Sequence, residues 1–457
     1  MDYDFLIIGA GQGGVPLANT LHKAGKRVAL AEKAQLGGSC VNWGCTPTKA
    51  FIASAKQAFE ARRAGEYGVR VSGVEVDFAA VMQRAQDIAN TSREGLQKSF
   101  EAEDSPALLR GHARFMGQSD EGFELDVGGQ TVKAKQVILD TGSSARIPDI
   151  AGLDGVSYID ARNWLDLRDL PEHLAILGGG YIGLEMAQAF RRLGSEVTVI
   201  EAGGQLAGKE DEDVAEAVRD VLTGEGVTVH LNTELKKVSE DGSGVRLELS
   251  RDGNQETLTA SHLFVAVGRV PNTSELGLDA VGVETNEQGY VTVDKSLRTS
   301  AECIWALGDI RGGPMFTHTS YDDFRVIRSA LLGDGSHTTD RVVPYAMFTD
   351  PQLGRVGLSE SQARERGHKV KIATYDMSDS GKAFETGHTR GFIKVVVDDK
   401  TDKLLGATVL AAEGAELVHT YIALMNADAP VGVYEDGVPI HPTYNEALHS
   451  VLKDVRE

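Results

Sequence analysis

Cys40 and Cys45 lie in the stretch LGGSCVNWGCTPTKA, Leu36 to Ala50, of a 457-residue chain that has three cysteines in all. Thiols this close suit a reversible disulfide, half of a metal site, or no chemistry at all, as two small apolar residues. Lys49 follows Cys45 by four residues, one helical turn, and can share its side of a helix. In isolation such a lysine is a solvated helix position. Near the other end, His441 in IHPTYNEALH is followed five residues on by Glu446. An imidazole exchanges protons near neutral pH, and a carboxylate on its second nitrogen fixes the tautomer and raises the basicity. A histidine before proline otherwise belongs to a surface loop.

The segments that must position these groups repeat one design. Tyr3 to Ala10 (YDFLIIGA) predicts a buried parallel strand, with Gly9, Gly11 and Gly14 at GxGxxG spacing after it. VPLANTLHKAG predicts a helix, and KRVALAEK a second strand ending in Glu32. The first glycine permits the tight turn, the second lets a pyrophosphate approach the backbone, and the third lets helix and sheet pack closely. The helix N-terminus offers free N–H groups to negative charge. HLAILGGGYIGLEMAQAFRRLGSEVTVIEA repeats the unit with Gly178, Gly180, Gly183 and Glu201. Glu32 lies 23 residues after Gly9, and Glu201 lies 23 after Gly178. One GxGxxG is a weak signal, but two complete units with the same acidic offset imply two dinucleotide sites. Such a pair implies one tightly held redox cofactor and one exchanging cofactor, because hydride must pass between two carriers. After Glu201, AGGQLAG brings no base before Lys209. A 2′-phosphate would meet a carboxylate and no arginine there, which favours NAD(H) over NADP(H).

Composition narrows the class. The chain exceeds one hydrophobic core, so about three packed domains are expected. No apolar run approaches the roughly 18 residues of a membrane span, and the acidic N-terminus runs straight into a glycine-rich turn, unlike a signal peptide. A net charge of −21 disfavours nucleic acid and anionic membrane as partners. Three cysteines make no secreted disulfide framework, so a cytoplasmic enzyme is expected.

With GAGQGG, GGSCVNWGCTPTK, VILDTGSSARIP, LGGGYIGLE, VAVGRVPN, TSAECIWALGD and HPTYNE in this order, the chain resembles, over almost its whole length, the class I flavoprotein disulfide reductases. These pyridine nucleotide-disulfide oxidoreductases include dihydrolipoamide dehydrogenase, glutathione reductase and mercuric reductase. The resemblance implies FAD and NAD as cofactors and a redox disulfide between Cys40 and Cys45 at a helix start, where thiolate is favoured. It makes Cys45 the flavin-facing sulfur and Cys40 the outer one that exchanges with substrate. It pairs Lys49 with Glu185 beside the flavin, and likens Tyr181 to a tyrosine that covers the flavin in some relatives. It makes His441 and Glu446 the proton-transfer pair, supplied by the second subunit of a homodimer. Cofactor contacts are implied for Gly9, Gly11, Gly14, Glu32, Lys33, Gly38, Ser39, Thr141, Gly142, Ser143, Gly308 and Asp309 on the flavin side. On the nicotinamide side they are implied for Gly178, Gly180, Tyr181, Ile182, Gly183, Glu201, Gly268 and Arg269. No metal is expected: zinc would want four ligands, and the one further cysteine is Cys303.

The implied fold class is α/β, with two Rossmann-like dinucleotide-binding domains and a C-terminal α+β dimerisation domain. The expected divisions are 1–148 and 269–341 for FAD, 149–268 for NAD(H) and 342–457 for the interface. AFIASAKQAFEARRAG and DFAAVMQRAQDIANTSREGLQKSF predict an inserted helical pair, FIKVVVD and KLLGATVL late strands, and GAELVHTYIALMNA a late helix. The acidic run Glu210 to Asp213 reads as a solvated helix start, Cys303 as structural, and Asp140 stands where the family usually has alanine.

CVNWGCTPTK and TRGFIK lean toward mercuric reductases, yet no cysteine follows Cys303 to deliver a soft metal. His441 stands where those enzymes generally have tyrosine, and with Glu201 the features are nearest to dihydrolipoamide dehydrogenase. Trp43, Tyr321, Asp322, Asp323 and Tyr444 add bulk and charge expected near the substrate, so a small-molecule or lipoyl-type disulfide or dithiol is expected without further identity. A flavin-bearing sensor that has lost its chemistry is the non-enzymatic alternative, and the intact cysteines, Lys49 and His441 oppose it.

Overall fold

Apolar runs without alternation, such as FLII and VALA, are stable only in a parallel sheet covered on both faces. The structure, a computed structural model, describes residues 2–456, and both runs form central strands. Strand β1 (Tyr3–Ile8) leads through helix α1 (Gly14–Lys23) to β2 (Val28–Glu32), which pairs with β1 in parallel. Three helices follow, α2 (Gly38–Asn42), α3 (Cys45–Arg63) and α4 (Phe78–Glu101), so the inserted helical pair forms as expected. The chain then adds β3 (Ala107–Arg110), β4 (Ala113–Ser119), β5 (Gly122–Val127) and β6 (Gln130–Leu139), giving the order β3-β2-β1-β6-β5-β4. A short β7 (Ser143–Ala145) leads away.

The second unit repeats the pattern. Strand β8 (His173–Leu177), helix α5 (Tyr181–Leu193) and β9 (Glu196–Ile200) are followed by α6 (Glu212–Gly224) and β10 (Thr228–His230). A three-stranded antiparallel sheet of β11 (Thr233–Asp241), β12 (Gly244–Arg251) and β13 (Asn254–Ala260) comes next, before β14 (His262–Val265) closes the parallel order β10-β9-β8-β14. β15 (Arg269–Pro271) then pairs with β7, and β16 (Ile304–Ala306) joins β6 in parallel as the seventh strand of the first sheet. The chain thus returns to its starting unit and adds helix α7 (Thr317–Leu332) there.

The last unit is a five-stranded antiparallel sheet, β17 (Tyr345–Met347), β18 (Gln352–Gly357), β19 (Val370–Asp376), β20 (Phe392–Asp398) and β21 (Leu404–Ala411), in the order β17-β18-β21-β20-β19. Helices α8 (Glu360–Glu365), α9 (Gly381–Glu385), α10 (Gly414–Leu417), α11 (His419–Asn426), α12 (Gly432–Glu435) and α13 (Asn445–Arg456) surround it. The single late helix expected from GAELVHTYIALMNA is divided at Val418, where Tyr421 N reaches back only three residues to Val418 O. The architecture is α/β, with two dinucleotide-binding units and an α+β unit. Among the described residues, no helix is long and apolar enough to cross a membrane.

Two contacts fix the inserted helices against the second unit. Phe51 on α3 packs on Phe190 of α5 at 4.9 Å and on Trp164 at 5.2 Å between ring centroids, all three fully buried. Aromatic pairs at these spacings add about 0.5–1.5 kcal/mol each beyond burial. Behind them Arg192 of α5 makes two hydrogen bonds of 2.7 Å to Glu225 and one of 2.8 Å to Asp350, with its guanidinium 3.7 Å from the Phe59 ring on α3. A charge so buried is stable only while its partners remain. Replacing Arg192 with alanine is expected to destabilise the protein by about 3–5 kcal/mol, seen as a lowered urea midpoint.

Candidate functional site: a thiol pair in a two-cradle cleft

Cys45 is the first residue of the 19-residue helix α3, whose positive end favours a negatively charged sulfur. Cys40 sits in the preceding short α2, whose turn is closed by Asn42 Nδ2 donating to Leu36 O and Gly38 O, each at 2.9 Å. Trp164 Nε1 donates to the Trp43 carbonyl at 2.8 Å and fixes the link between the two helices. The two sulfurs are not joined by a disulfide here. The Cys40 thiol hydrogen-bonds the Cys45 sulfur, Thr317 Oγ1 lies 3.2 Å from Cys45 Sγ, and the Lys49 charge is near. Together these pull Cys45 down to about 6, while the same contact and burial push Cys40 up. At neutral pH the pair is therefore one thiolate, Cys45, and one thiol, Cys40.

Lys49 Nζ lies 2.6 Å from Glu185 Oε2 and 4.6 Å from the Phe348 ring centroid, and the Phe348 N–H donates to Glu185 Oε1 at 2.8 Å. The pairing expected between Lys49 and Glu185 is present. It joins α3 to α5 one turn past Cys45.

The two cradles match closely. Gly9 has φ +105° and a Cβ there would lie 2.2 Å from Asp140 O; Gly178 has φ +110° and its Cβ would lie 2.5 Å from Ala266 O. Side chains are excluded at both by strain and by contact. Glu32 accepts N–H groups from Ala10 (2.9 Å) and Ala34 (2.7 Å), as Glu201 does from Gly179 (2.7 Å) and Gly203 (2.6 Å). Each carboxylate is thereby aimed into the cleft with lone pairs to spare.

The cradles differ at their second glycine. A Cβ on Gly180 would meet nothing within 4 Å, whereas one on Gly11 would lie 2.6 Å from Asp140 Oδ2. Asp140 also accepts the Gly14 N–H at 2.8 Å, and burial pushes its carboxyl well above the usual range. The departure from alanine thus fills the space behind the first cradle.

One cleft of about 2250 Å³ joins these parts. Its size decides how much it can hold, since a pocket for one drug-sized ligand is about 300–1,000 Å³. Cys40, Cys45, Lys49 and Glu185 line it, as do Gly9, Gly11, Glu32, Lys33, Gly38, Ser39, Thr141, Gly142, Ser143 and Asp309 on one side. Gly178, Gly180, Tyr181, Ile182, Glu201, Gly268 and Arg269 line the other. Arg269 Nε donates to Ser143 Oγ at 2.7 Å and stands 3.5 Å from Asp309 Oδ2, joining the two sides. Gly14, Gly183 and Gly308 are not among the cleft's lining residues. The open backbone at Gly180, the two oriented carboxylates and the cleft's volume fit two dinucleotides.

His441 and Glu446 are not among the residues lining this chain's cleft. His441 Nδ1 is 3.1 Å from Glu446 Oε1, Glu446 Oε2 accepts the Thr443 N–H at 2.9 Å, and the His441 side chain is 78% exposed.

Several expectations are corrected. Asp322 and Asp323 do not line the cleft: Asp323 is fully buried, takes both Arg311 Nε (2.7 Å) and the Gly308 N–H (2.9 Å), and pairs with Arg341, as does Asp322. They brace α7 against the return of the chain, and Tyr321 is exposed against Phe324. Tyr444 hydrogen-bonds Thr386 within the last unit. Trp43 does line the cleft. The acidic run does open helix α6, but it is not simply solvated. Glu210 is buried against Arg355, Asp211 accepts the Glu360 N–H at 2.9 Å, and Asp213 takes Lys394 at 2.8 Å. The run is thus bolted to the last unit.

Thr317 went unmarked in the sequence, because a threonine in MFTHTSYDD has no pattern that distinguishes it from a helix cap. Only the return of the chain through β16 brings it to the sulfurs.

A fold with two dinucleotide cradles opening on one dithiol defines a two-cofactor thiol–disulfide enzyme. Residues 3–323 match the pyridine nucleotide-disulphide oxidoreductase family, and residues 343–452 match its dimerisation domain. The chain belongs to that family. It is 36% identical to a dihydrolipoyl dehydrogenase of Cupriavidus necator over 98% of this chain and 96% of that one. It is 36% identical to a mercuric reductase of Streptomyces lividans, over 90% and 87%. A solved Cu(II) complex of the HOCl-induced flavoprotein disulfide reductase RclA from Escherichia coli superposes with a TM-score of 0.89 at 34% identity, covering 98% and 99%. The protein is accordingly an FAD-dependent pyridine nucleotide-disulfide oxidoreductase with a homodimerisation domain.

Thr317→Val keeps the side-chain shape and removes the hydroxyl beside Cys45. The pH midpoint for alkylation of Cys45 by iodoacetamide is expected to rise from about 6 by roughly one unit, the linkage equivalent of a hydrogen bond to a charged sulfur.

Proposed function

We propose that this enzyme carries electron pairs between NAD(H) and a disulfide or dithiol of small-molecule or lipoyl type, with Cys40 and Cys45 as its redox pair. The observation that carries this is a Cys45 thiolate at the start of α3, held by Cys40, Thr317 and Lys49 in a cleft shared by both cradles. FAD would rest on the first cradle, with Glu32 toward its ribose and Asp309, Ser143 and Arg269 along its middle. Bound there, it supplies the two-electron link between nicotinamide and sulfur. NAD(H) would rest on the second cradle. Glu201, held by two backbone N–H groups, favours it over NADP(H).

In the reducing direction the residues have a balanced sequence. Two electrons and one proton convert the Cys40–Cys45 disulfide to a Cys45 thiolate and a Cys40 thiol. Cys40 loses its proton to a base and attacks one sulfur of the substrate disulfide; a mixed disulfide forms, and the first substrate thiolate departs with that proton. Cys45 then attacks the Cys40 sulfur, restoring their bond and expelling the second thiolate, which takes a proton from water. The sum is NADH, one proton and a disulfide giving NAD⁺ and two substrate thiol groups, and each step reverses for dithiol oxidation. Because Cys40 stays protonated, its attack needs a base. His441, oriented by Glu446 and exposed on its own chain, suits that task at the partner's cleft.

The divisions 1–148, 149–268, 269–341 and 342–457 remain our reading of the domains, and the cytoplasm our reading of the location, from the low cysteine count. A second reading, reduction of a soft metal ion, is favoured by the accessible sulfur pair and by the mercuric reductase and copper-complexed relatives. No cysteine follows Cys303 to deliver such an ion.

Anaerobic NADH oxidation measured with lipoamide, glutathione disulfide, coenzyme A disulfide, Hg(II) and Cu(II) separates these readings. Turnover with a disulfide and none with metal is expected, and metal turnover alone would replace the proposal with the second reading. His441→Gln is expected to lower disulfide turnover about 100- to 10,000-fold. Mixed dimers of Cys45→Ser and His441→Gln chains are expected to recover activity, because one cleft then has both groups; inactive mixed dimers would place the base within one chain.

A further inference from the structure

Glu210 belongs to neither glycine motif, nor to the sulfur pair, nor to the proton-transfer pair. Yet it is 6% exposed, and a buried carboxylate must be held by partners. One oxygen accepts hydroxyls from both Tyr181 and Tyr345, the latter at 2.8 Å. The other pairs at 2.9 Å with Nε of Arg355, itself 2% exposed and fastened to Ala407 O and Thr408 Oγ1 on β21. Tyr181 is thus tied through Glu210 to the five-stranded sheet of the last unit. Its ring is also covered, lying 5.8 Å from the Tyr345 ring, which stacks at 5.5 Å on Phe316.

The place of this ring gives the tie its meaning. Tyr181 opens α5 directly after Gly180 of the second cradle, and one turn on is Glu185, which holds Lys49 beside Cys45. Tyr181, Glu185, Lys49 and Cys45 all line the same cleft. A hydride-bearing ring attached to a dinucleotide on the second cradle would meet this tyrosine in the shared cleft. Its hydroxyl stays protonated, because burial and the Glu210 charge both raise it, so the bond to Glu210 is a phenol donating to a carboxylate, a strong class of hydrogen bond.

We propose that Glu210 is a positioning residue that latches Tyr181 across this passage, held in place by Tyr345 and Arg355, so that admitting the nicotinamide ring requires breaking the Tyr181–Glu210 hydrogen bond. This rests on the two-cofactor reading above and adds the element that regulates access between the cofactors. A latched site binds with an affinity reduced by the fraction of molecules that are open. Weakening the latch therefore strengthens apparent NADH binding and exposes the flavin.

The test compares holoenzymes of the wild type, Tyr181→Phe, Glu210→Gln and the double variant. Stopped-flow bleaching of flavin absorbance gives the dissociation constant for NADH and the limiting rate; iodide quenching of flavin fluorescence, without NADH, gives exposure. Each single variant is expected to lower the constant about tenfold, the scale of one hydrogen bond to a charged group. Each is also expected to raise quenching, and the double variant to go no further than either, since both remove one interaction. Tyr181→Phe alone decides the matter if Glu210→Gln, which leaves Arg355 unpaired, does not fold. Unchanged NADH binding and unchanged quenching in Tyr181→Phe, weaker NADH binding in that variant, or additive effects in the double variant would each overturn the latch. A wild type that NADH does not bleach would instead refute the two-cofactor reading, leaving the iodide result to judge the latch.

Discussion

A thiolate in a half-closed cleft is unstable unless positive charge and hydrogen bonds surround it, and that requirement organises this molecule. Cys45 meets it from three directions. Its own helix presents a positive end, Cys40 and Thr317 hydrogen-bond the sulfur, and Lys49 adds charge one turn on. Cys40, the helix start and Lys49 come from one segment and Thr317 from far along the chain, while the Phe51, Trp164 and Phe190 cluster holds α3 against α5. Lys49 is in turn fixed by Glu185, the fourth residue after Tyr181 on α5. Contact between the two dinucleotide-binding units thus fixes the one cation beside the sulfur among these groups.

Duplication of the cradle provides two similar sites with different linings. Gly180 faces open space, whereas Gly11 rests against the Asp140 carboxyl. Burial disfavours charge on the Asp140 carboxyl, which fills the space behind the first cradle. Acidic residues thus serve unlike purposes across the chain: Glu32 and Glu201 face the cleft, Asp323 braces α7, and Glu210, Asp211 and Asp213 fasten the second unit to the last.

The glycine turns, the two terminal acids and the sulfur pair were legible because local backbone geometry demands them at fixed spacing. The α/β class, the inserted helices and the Lys49–Glu185 pair follow from the same motifs and the family resemblance. Thr317 and Glu210 were not legible. Each matters through contacts with residues far along the chain, and neither has a local pattern. The acidic run misled for a related reason: in sequence, solvated and buried acids look alike, and what separates them is whether Arg355 and Lys394 arrive from elsewhere. Asp322 and Asp323 looked like substrate-facing acids because they make an unusually acidic helix start after THTS, but a helix turns successive residues away from one another. Arg311 receives Asp323, and Arg341 receives both.

The central claim is that Cys45 is a thiolate in contact with the bound flavin at neutral pH. Anaerobic two-electron reduction by NADH, followed by absorbance from alkaline to acid pH, tests it directly. The account predicts a long-wavelength thiolate-to-flavin band that is full above neutrality, fades with a midpoint near 6 as Cys45 gains its proton, and is missing from Cys45→Ser. A band that survives in Cys45→Ser, or no band at any pH in the wild type, would contradict it.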